Sequence, residues 1–360
     1  MKTRFYVGLI ALAALAFVGC AKDEVKSSVD NALEFGTYLG RDAQTKGSVF
    51  DTEDMKTQGF GVFAYYTDEQ RYSAAATPNF MYNEEVTYAG TAWTYAPVKY
   101  WPNEATDYVS FFAYAPYAET YNVPASGDPI IDFTVPADVT DHIDLVAAEN
   151  SHIDCQKQAV NDVVKFTFKH ALSRVGFKVE AVMDEVNDQE NGATPDTDNQ
   201  DNPITAGTTI SVQEVELIGD FYTSGKLNLN GAIWTPDEEG KTGSYILKEE
   251  DFEDVYKNVT IDPTTLNKDS EYMMLIPTQT ISVKVRVKYT VTTADDKLEG
   301  EASVVENNIT SDEFAFTFAQ GKAYTFVLHL GLTSVKLDAE VAEWEEMGDY
   351  VVNVPNNFVE

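Results

Sequence analysis

Cys20 and Cys155 are the only thiols of this sequence, and His142, His152, His170 and His329 its only imidazoles. A thiol can be acylated, oxidised or bound to a metal, and an imidazole can ligate a metal or move a proton, but each needs partners at defined spacing. The histidines are too scattered for a metal motif, and neither a His-x-x-x-His pair nor a paired-cysteine spacing occurs. There is no Gly-x-Ser-x-Gly elbow, Gly-x-Gly-x-x-Gly turn or phosphate loop, so nucleophilic and nucleotide chemistry have no basis here. The run Asp196-Thr197-Asp198-Asn199-Gln200-Asp201 has the outline of a calcium loop, yet Asp201 stands where the turn glycine is required and no Glu follows at the twelfth position. With 59 carboxylates, pairs spaced for glycoside hydrolysis arise by chance and carry no argument. No metal, cofactor or catalytic group is expected.

Charge narrows the partners. The 59 Asp and Glu against 25 Lys and Arg give a net charge of −34, which repels nucleic acid and anionic lipid head groups, so no nucleic-acid partner is expected. Cys20 stands apart from the other chemistry because of what precedes it. Lys2 and Arg4 open the chain, Phe5 to Val18 form an apolar run of signal-peptide length, and Phe17-Val18-Gly19-Cys20 resembles the lipobox of bacterial lipoproteins. That resemblance implies acylation of Cys20 and attachment to the outer membrane through lipid, each buried CH₂ contributing about 0.8 kcal/mol. An ordinary secretory peptide with a chance Cys is the alternative. Lys22-Asp23-Glu24 is similar to the export signal that carries lipoproteins of Bacteroidetes to the outer face of the outer membrane, or is a solvated tether. Once Cys20 is acylated, Cys155 has no thiol partner and reads as a small buried hydrophobe.

The elements that must position these residues are strands. Val283, Val285, Val287, Tyr289 and Val291 alternate with Lys284, Arg286, Lys288 and Thr290, which is the pattern of a half-buried strand. The same period recurs at Val164, Phe166, Phe168 and His170, at Val175, Phe177 and Val179, and at Tyr324, Phe326, Leu328 and Leu330. Turn signals at Asn228 to Gly231 and Pro236 to Gly240 separate such runs, and long amphipathic helical stripes are nearly absent. An all-β chain of sandwich type is expected. Asp184 to Pro203, polar and acidic, reads as a long exposed loop, and a domain boundary is expected near residues 150 to 162. Near the start, Leu33, Phe35, Thr37 and Leu39 alternate with Glu34, Gly36 and Tyr38 as an isolated short strand, cut off from the next clear one by Gly40 to Gln58.

Several motifs, taken in order, resemble the fimbrillin family of Bacteroidetes, the subunits of polymeric pili assembled by protease-mediated strand exchange. They are Gly59-Phe60-Gly61-Val62-Phe63-Ala64-Tyr65, then Val98-Lys99-Tyr100-Trp101-Pro102, Val109-Ser110-Phe111-Phe112-Ala113-Tyr114-Ala115-Pro116 and Asp144-Leu145-Val146-Ala147-Ala148. His170-Ala171-Leu172-Ser173-Arg174-Val175, Gly321-Lys322-Ala323-Tyr324 and Trp344 follow. The resemblance implies a lipoprotein precursor with two tandem transthyretin-like β-sandwich domains, divided as signal peptide 1–19, tether and removable first strand 20–46, and sandwiches 47–158 and 159–360. It implies a trypsin-like surface protease that cuts the first strand away, and other fimbrial subunits, in a homo- or hetero-polymer, that refill the groove by donor-strand complementation.

Carried onto these residues, the removable strand holds Leu33, Phe35 and Leu39, and processing falls at Lys46-Gly47, with Arg41 as the other position. Val351, Val352 and Val354, beyond Trp344, are either a donor strand or the last strand of the chain's own second domain. The location implied is the surface-exposed face of the cell outer membrane, within a fimbrium. The competing reading is a surface glycan-binding lipoprotein, with Trp93, Trp101 and Trp234 as stacking platforms; an exposed set of Trp rings favours it, and an apolar groove bridged by the removable strand favours the pilus.

Overall fold

The computed structural model describes residues 32–39, 50–149, 152–156, 163–182, 208–252, 259–260, 262–268, 271–293, 302–344 and 350–352. The expected acylation and processing positions Cys20, Arg41, Lys46 and Gly47, the export signal at Lys22 to Glu24, the loop 184–203 and Val354 lie outside them. The chain is all-β. In its first half run β1 (Glu34–Leu39), β2 (Phe60–Tyr66), β3 (Met81–Tyr88), β4 (Trp93–Thr94), β5 (Val109–Ala115), β6 (Ile130–Thr134), β7 (Val146–Ala148) and β8 (Val163–His170). The second half supplies β9 (Ser173–Ala181), β10 (Thr208–Tyr222), β11 (Ser224–Asn228), β12 (Ile233–Pro236), β13 (Lys241–Lys248), β14 (Thr264–Thr265) and β15 (Met273–Leu275). It ends with β16 (Ile281–Thr293), β17 (Ser303–Thr310), β18 (Phe314–Phe316), β19 (Lys322–Leu330), β20 (Val335–Glu343) and β21 (Tyr350–Val352). One short α-helix, α1 (Thr52–Gln58), is present among the described residues; Asp51 caps it, accepting from the amides of Glu53 and Asp54.

A seven-stranded sheet runs β1-β8-β7-β5-β2-β3-β4, and it curls until its two end strands, β1 and β4, lie against each other. Its concave side encloses a core that includes Phe35, Phe60, Phe111, Trp101, Phe166 and Phe168. The far side is covered as well, since Phe63, Tyr65, Phe112 and Tyr114 pack into a second core shared with the rest of the chain. Burial on both sides is why β2 and β5 read as continuous apolar runs instead of alternating. In the second half, β13-β10-β16-β17, with β18 also on β16, faces β14-β9-β19-β20-β21, with β15 also on β9. The alternating valines of β16 fill the core between these sheets, where Val283, Val287 and Tyr289 are fully buried.

Two findings differ from the division expected at 158/159. β8 is hydrogen-bonded into the first sheet, between β1 and β7, and the chain changes sheets only at Ala171-Leu172. The cause is on its inward face, where Phe166 and Phe168 complete the core around Phe60. The halves also share a sheet, because β6 pairs antiparallel with β11, which carries β12 on its other edge.

Candidate functional site

β1 is the element whose seat is built most like a receptor. It lies parallel to β8 from Glu34 opposite Val163 to Leu39 opposite Phe168. On its other flank the Leu33 amide donates to the Lys99 carbonyl (2.9 Å), Ala32 bridges Tyr100, and the Tyr95 hydroxyl donates to the Leu33 carbonyl (2.7 Å). β1 is thus the staple between β8 and the segment after β4. Leu33, Phe35 and Leu39 are 2%, 5% and 8% exposed, whereas Tyr38 on the opposite face is 52% exposed. Phe35 is the anchor: its ring lies 5.6 Å from Phe166 in a stacked arrangement, 5.2 Å from Tyr95, and edge-on to Phe60 and Phe111 at 6.1 and 6.2 Å.

The sequence motifs position this seat for stated reasons. Gly59 has φ 69°, and a Cβ there would stand 2.7 Å from the Val86 carbonyl. Gly61 lies under the Tyr114 ring, which a Cβ would overlap, and the Tyr114 hydroxyl is held by donation to Asn83 Oδ1 (2.6 Å). The Gly-Phe-Gly run therefore lets β2 enter the sheet with Phe60 turned toward Phe35.

A second group of motif residues meets where β8 ends and β9 begins. His170 Nδ1 faces both oxygens of Asp144, at 3.1 and 3.0 Å, with both side chains buried. Trp344 stacks face to face on His170 with centroids 3.9 Å apart and planes 1° from parallel. The Arg174 guanidinium lies 5.4 Å from the Trp344 ring and 4.6 Å from that of Tyr272, and burial lowers its pKa. Backbone bonds complete the joint: Trp344 N–H to Gly321 O (3.1 Å), Gly321 N–H to Leu172 O (2.9 Å) and Ala171 N–H to Leu145 O (2.8 Å). The sequence supplied these residues as scattered motifs; that they form one cluster has no local signal, because they meet only through long-range pairing.

The remaining candidates fall as follows. Val351 and Val352 lie in β21, which pairs antiparallel with β20 over Ala339 to Val341, so these two sit beside the chain's own second half. Cys155 is half-buried against the first core and bridged to Val109, and burial pushes its thiol up to about 11. His152 contacts the Lys165 carbonyl, and His329 lies between Glu180 and Asp338. Among the described residues no group of three His, Cys, Asp or Glu is arranged to hold a metal. Nor do the tryptophans form a platform: Trp101 is buried, Trp93 packs edge-on to Phe60 at 4.9 Å, and Trp234 donates from Nε1 to the Ala171 carbonyl (2.6 Å) while packing on Phe133. The observation that the glycan reading requires is therefore not met by these three rings.

The family model described as fimbrillin-like matches residues 48–344, and the chain belongs to that family, one of fimbrial structural subunits and not of enzymes. It is 26% identical to the fimbrium subunit Fim1C of Phocaeicola vulgatus over 400 residues, which span 96% of this chain and 98% of that protein. A crystal structure of a fimbrial protein from Bacteroides vulgatus has the same fold, with TM-score 0.65 and 22% identity, covering 87% of this chain and 99% of that one.

Proposed function

We propose that this protein is a structural subunit of a cell-surface fimbria, exported as a lipoprotein on Cys20 and polymerised by strand exchange once a trypsin-like protease has cut between β1 and α1. Two transthyretin-like sandwiches form its body, and adhesion is the service of the assembled polymer. The observation that carries the reading is the seat of β1. Three inward side chains contribute about 1.5 to 3 kcal/mol each by burial, before ordering entropy is subtracted. They are joined to the rest of the chain only through the connection from Gly40 to Val49, in which Arg41 and Lys46 are the two trypsin-type positions. While that connection is whole, β1 is held in place at high effective concentration and outcompetes any strand from another molecule. Cutting removes the advantage and leaves β8 with an unpaired edge beside an apolar trough, which is a template for strand addition. Membership in a family of fimbrial subunits and the likeness to Fim1C support the same reading.

The test is to treat the purified precursor with trypsin, read the new N-terminus and run unheated detergent gels. A terminus at Gly47 or Asp42 with a ladder of oligomers is the expected result. A stable monomer that has lost residues 32–39 would overturn the proposal.

A further inference from the structure

β17 is an edge strand without the usual defences of one. It pairs with β16 from Arg286 opposite Thr310 to Thr293 opposite Ser303 with no break in register, and among the described residues no strand pairs with its other side. Val304 and Val305 are 58% and 45% exposed, and the strand contains no Pro, no Lys and no bulge. Natural edges are blunted by such devices because their free amides and carbonyls template another strand. Other edges of this molecule follow that rule: β13, of the same length, carries Lys241 and Lys248, β12 ends in Pro236, and β4 and β14 are two residues long.

We infer that β17 is a lateral docking edge for a second copy of this chain, pairing antiparallel with that copy's β17 about a twofold axis at Asn307. The sheet β13-β10-β16-β17 then runs on into the same sheet of its partner. This surface goes beyond the proposed function, since it uses neither β1 nor its seat and needs no proteolysis.

Hydrogen-bond direction leaves few registers open. The Ser311 amide donates to the carbonyl of Val285, the residue opposite it (2.8 Å), so the odd-numbered residues of β17 turn their amides and carbonyls toward β16. Val304, Glu306, Asn308 and Thr310 turn theirs toward the open side. A second copy has to meet these groups with the same four, which places the twofold axis on a residue and not between two. Two such registers pair nearly the whole strand. An axis at Glu306 sets two carboxylates face to face, whereas an axis at Asn307 sets Glu306 opposite Asn308 and Val304 opposite Thr310.

Side chains and charge both point to a second copy as the occupant. On the core face of the sheet Val291 lies opposite Val305 and Val287 opposite Ile309. Pairing about Asn307 brings Val305 against Ile309 of the second copy, so that Val291, Val305, Ile309 and Val287 form one β-branched row across both molecules, and the symmetry builds that row twice. Copies that each carry a net charge of −34 repel one another and can meet only where carboxylates are few. β17 contains one, Glu306, and the register keeps it off its counterpart. A single strand pair is small beside the ~1,000 Å² that a stable interface buries. The contact is therefore weak between single chains and accumulates between rows of subunits lying side by side.

Cross-linking tests the pairing on exposed positions. In full-length chains carrying Cys20→Ala and Cys155→Ala and never treated with protease, a Glu306→Cys variant is mixed with an Asn308→Cys variant, oxidised, and run on non-reducing gels. The inferred register sets these two positions opposite each other, with Cα atoms about 5.5 Å apart and within reach of a disulfide. Either variant alone holds its two thiols two residues out of register, with Cα atoms roughly 8 Å apart and out of reach. Disulfide-linked dimers from the mixture should therefore exceed those from either variant alone by at least tenfold. Adding Val305→Lys to both chains, a change at an exposed site that should leave the urea midpoint in place, should lower the yield at least tenfold. Dimers as abundant from one variant alone as from the mixture, dimers that persist with Val305→Lys, or no dimers at all overturn the inference. None of these outcomes touches the strand-exchange reading, because the chains are uncut.

Discussion

Phe35 sets the energetics of the site at the scale of single side chains. Its ring touches four others and is almost fully enclosed, so Phe35→Ala should cost about 3 to 5 kcal/mol of stability in the intact precursor, read as a lowered urea midpoint. Tyr38→Ala, on the exposed face of the same strand, should stay within about 0.5 kcal/mol of the parent. Gly61→Ala is a second test of the seat, since the new methyl overlaps a Tyr114 ring pinned through its hydroxyl; a loss of about 1 to 3 kcal/mol is expected in the same measurement. Cys155 makes a chemical prediction. With its thiol pushed up to about 11 by burial, alkylation by iodoacetamide at pH 7.5 should be far slower in the folded protein than in urea, and equal rates would contradict the half-buried placement.

Between elements, His142 joins the β6–β7 connection to β15. Its Nε2 donates to the Pro136 carbonyl (3.0 Å) and its Nδ1 accepts from the Met274 amide (2.9 Å), so protonating Nδ1 breaks the second bond. Burial lowers its pKa from 6.5 to about 4. The unfolded chain therefore binds the proton more readily than the folded one, and this contribution to stability is complete above pH 6.5 and is lost as pH falls toward 4. Urea midpoints at pH 7.5 and 4.5 should fall more steeply in the parent than in His142→Gln, where the remaining slope belongs to the carboxylates. Elements were also where the sequence was most legible. The alternation at Leu33 to Leu39, Val164 to His170 and Val283 to Val291 mapped onto β1, β8 and β16, because each buries one face and leaves the other partly or fully open. β2 and β5 were recognised through motif and not through period, since both their faces are covered. The partners of strands were not legible: β8 in the first sheet and β6 beside β11 are set by which distant faces fit, and no local pattern encodes that. The start of α1 was missed inside the connection Gly40 to Gln58, although the capping box of Asp51 and Asp54 is a local signal for it.

At the scale of the whole molecule, the seat of β1 and the joint at the β8–β9 crossing are two ends of one strand. β8 holds β1 along Val163 to Phe168 and, two residues later, presents His170 to Trp344. The sequence brought both sets of residues to notice as motifs, yet their common support became visible only in three dimensions. A fibre assembled as proposed has to carry tension, and the joint between Trp344 and β8 gives that tension a path. A pull on the segment beyond Trp344 reaches the subunit at the indole–imidazole stack and passes through the Asp144–His170 pair into β8. From there, on the proposed reading, it leaves along the edge of β8 on which β1 is seated. Stretching single processed fibres by force spectroscopy should then show rupture at lower force in Trp344→Ala, while Lys336→Ala, exposed on the opposite end of β20, leaves the rupture force unchanged. Trp344 is, on the proposed reading, the rivet that ties the end of β20 to the strand on which β1 is seated.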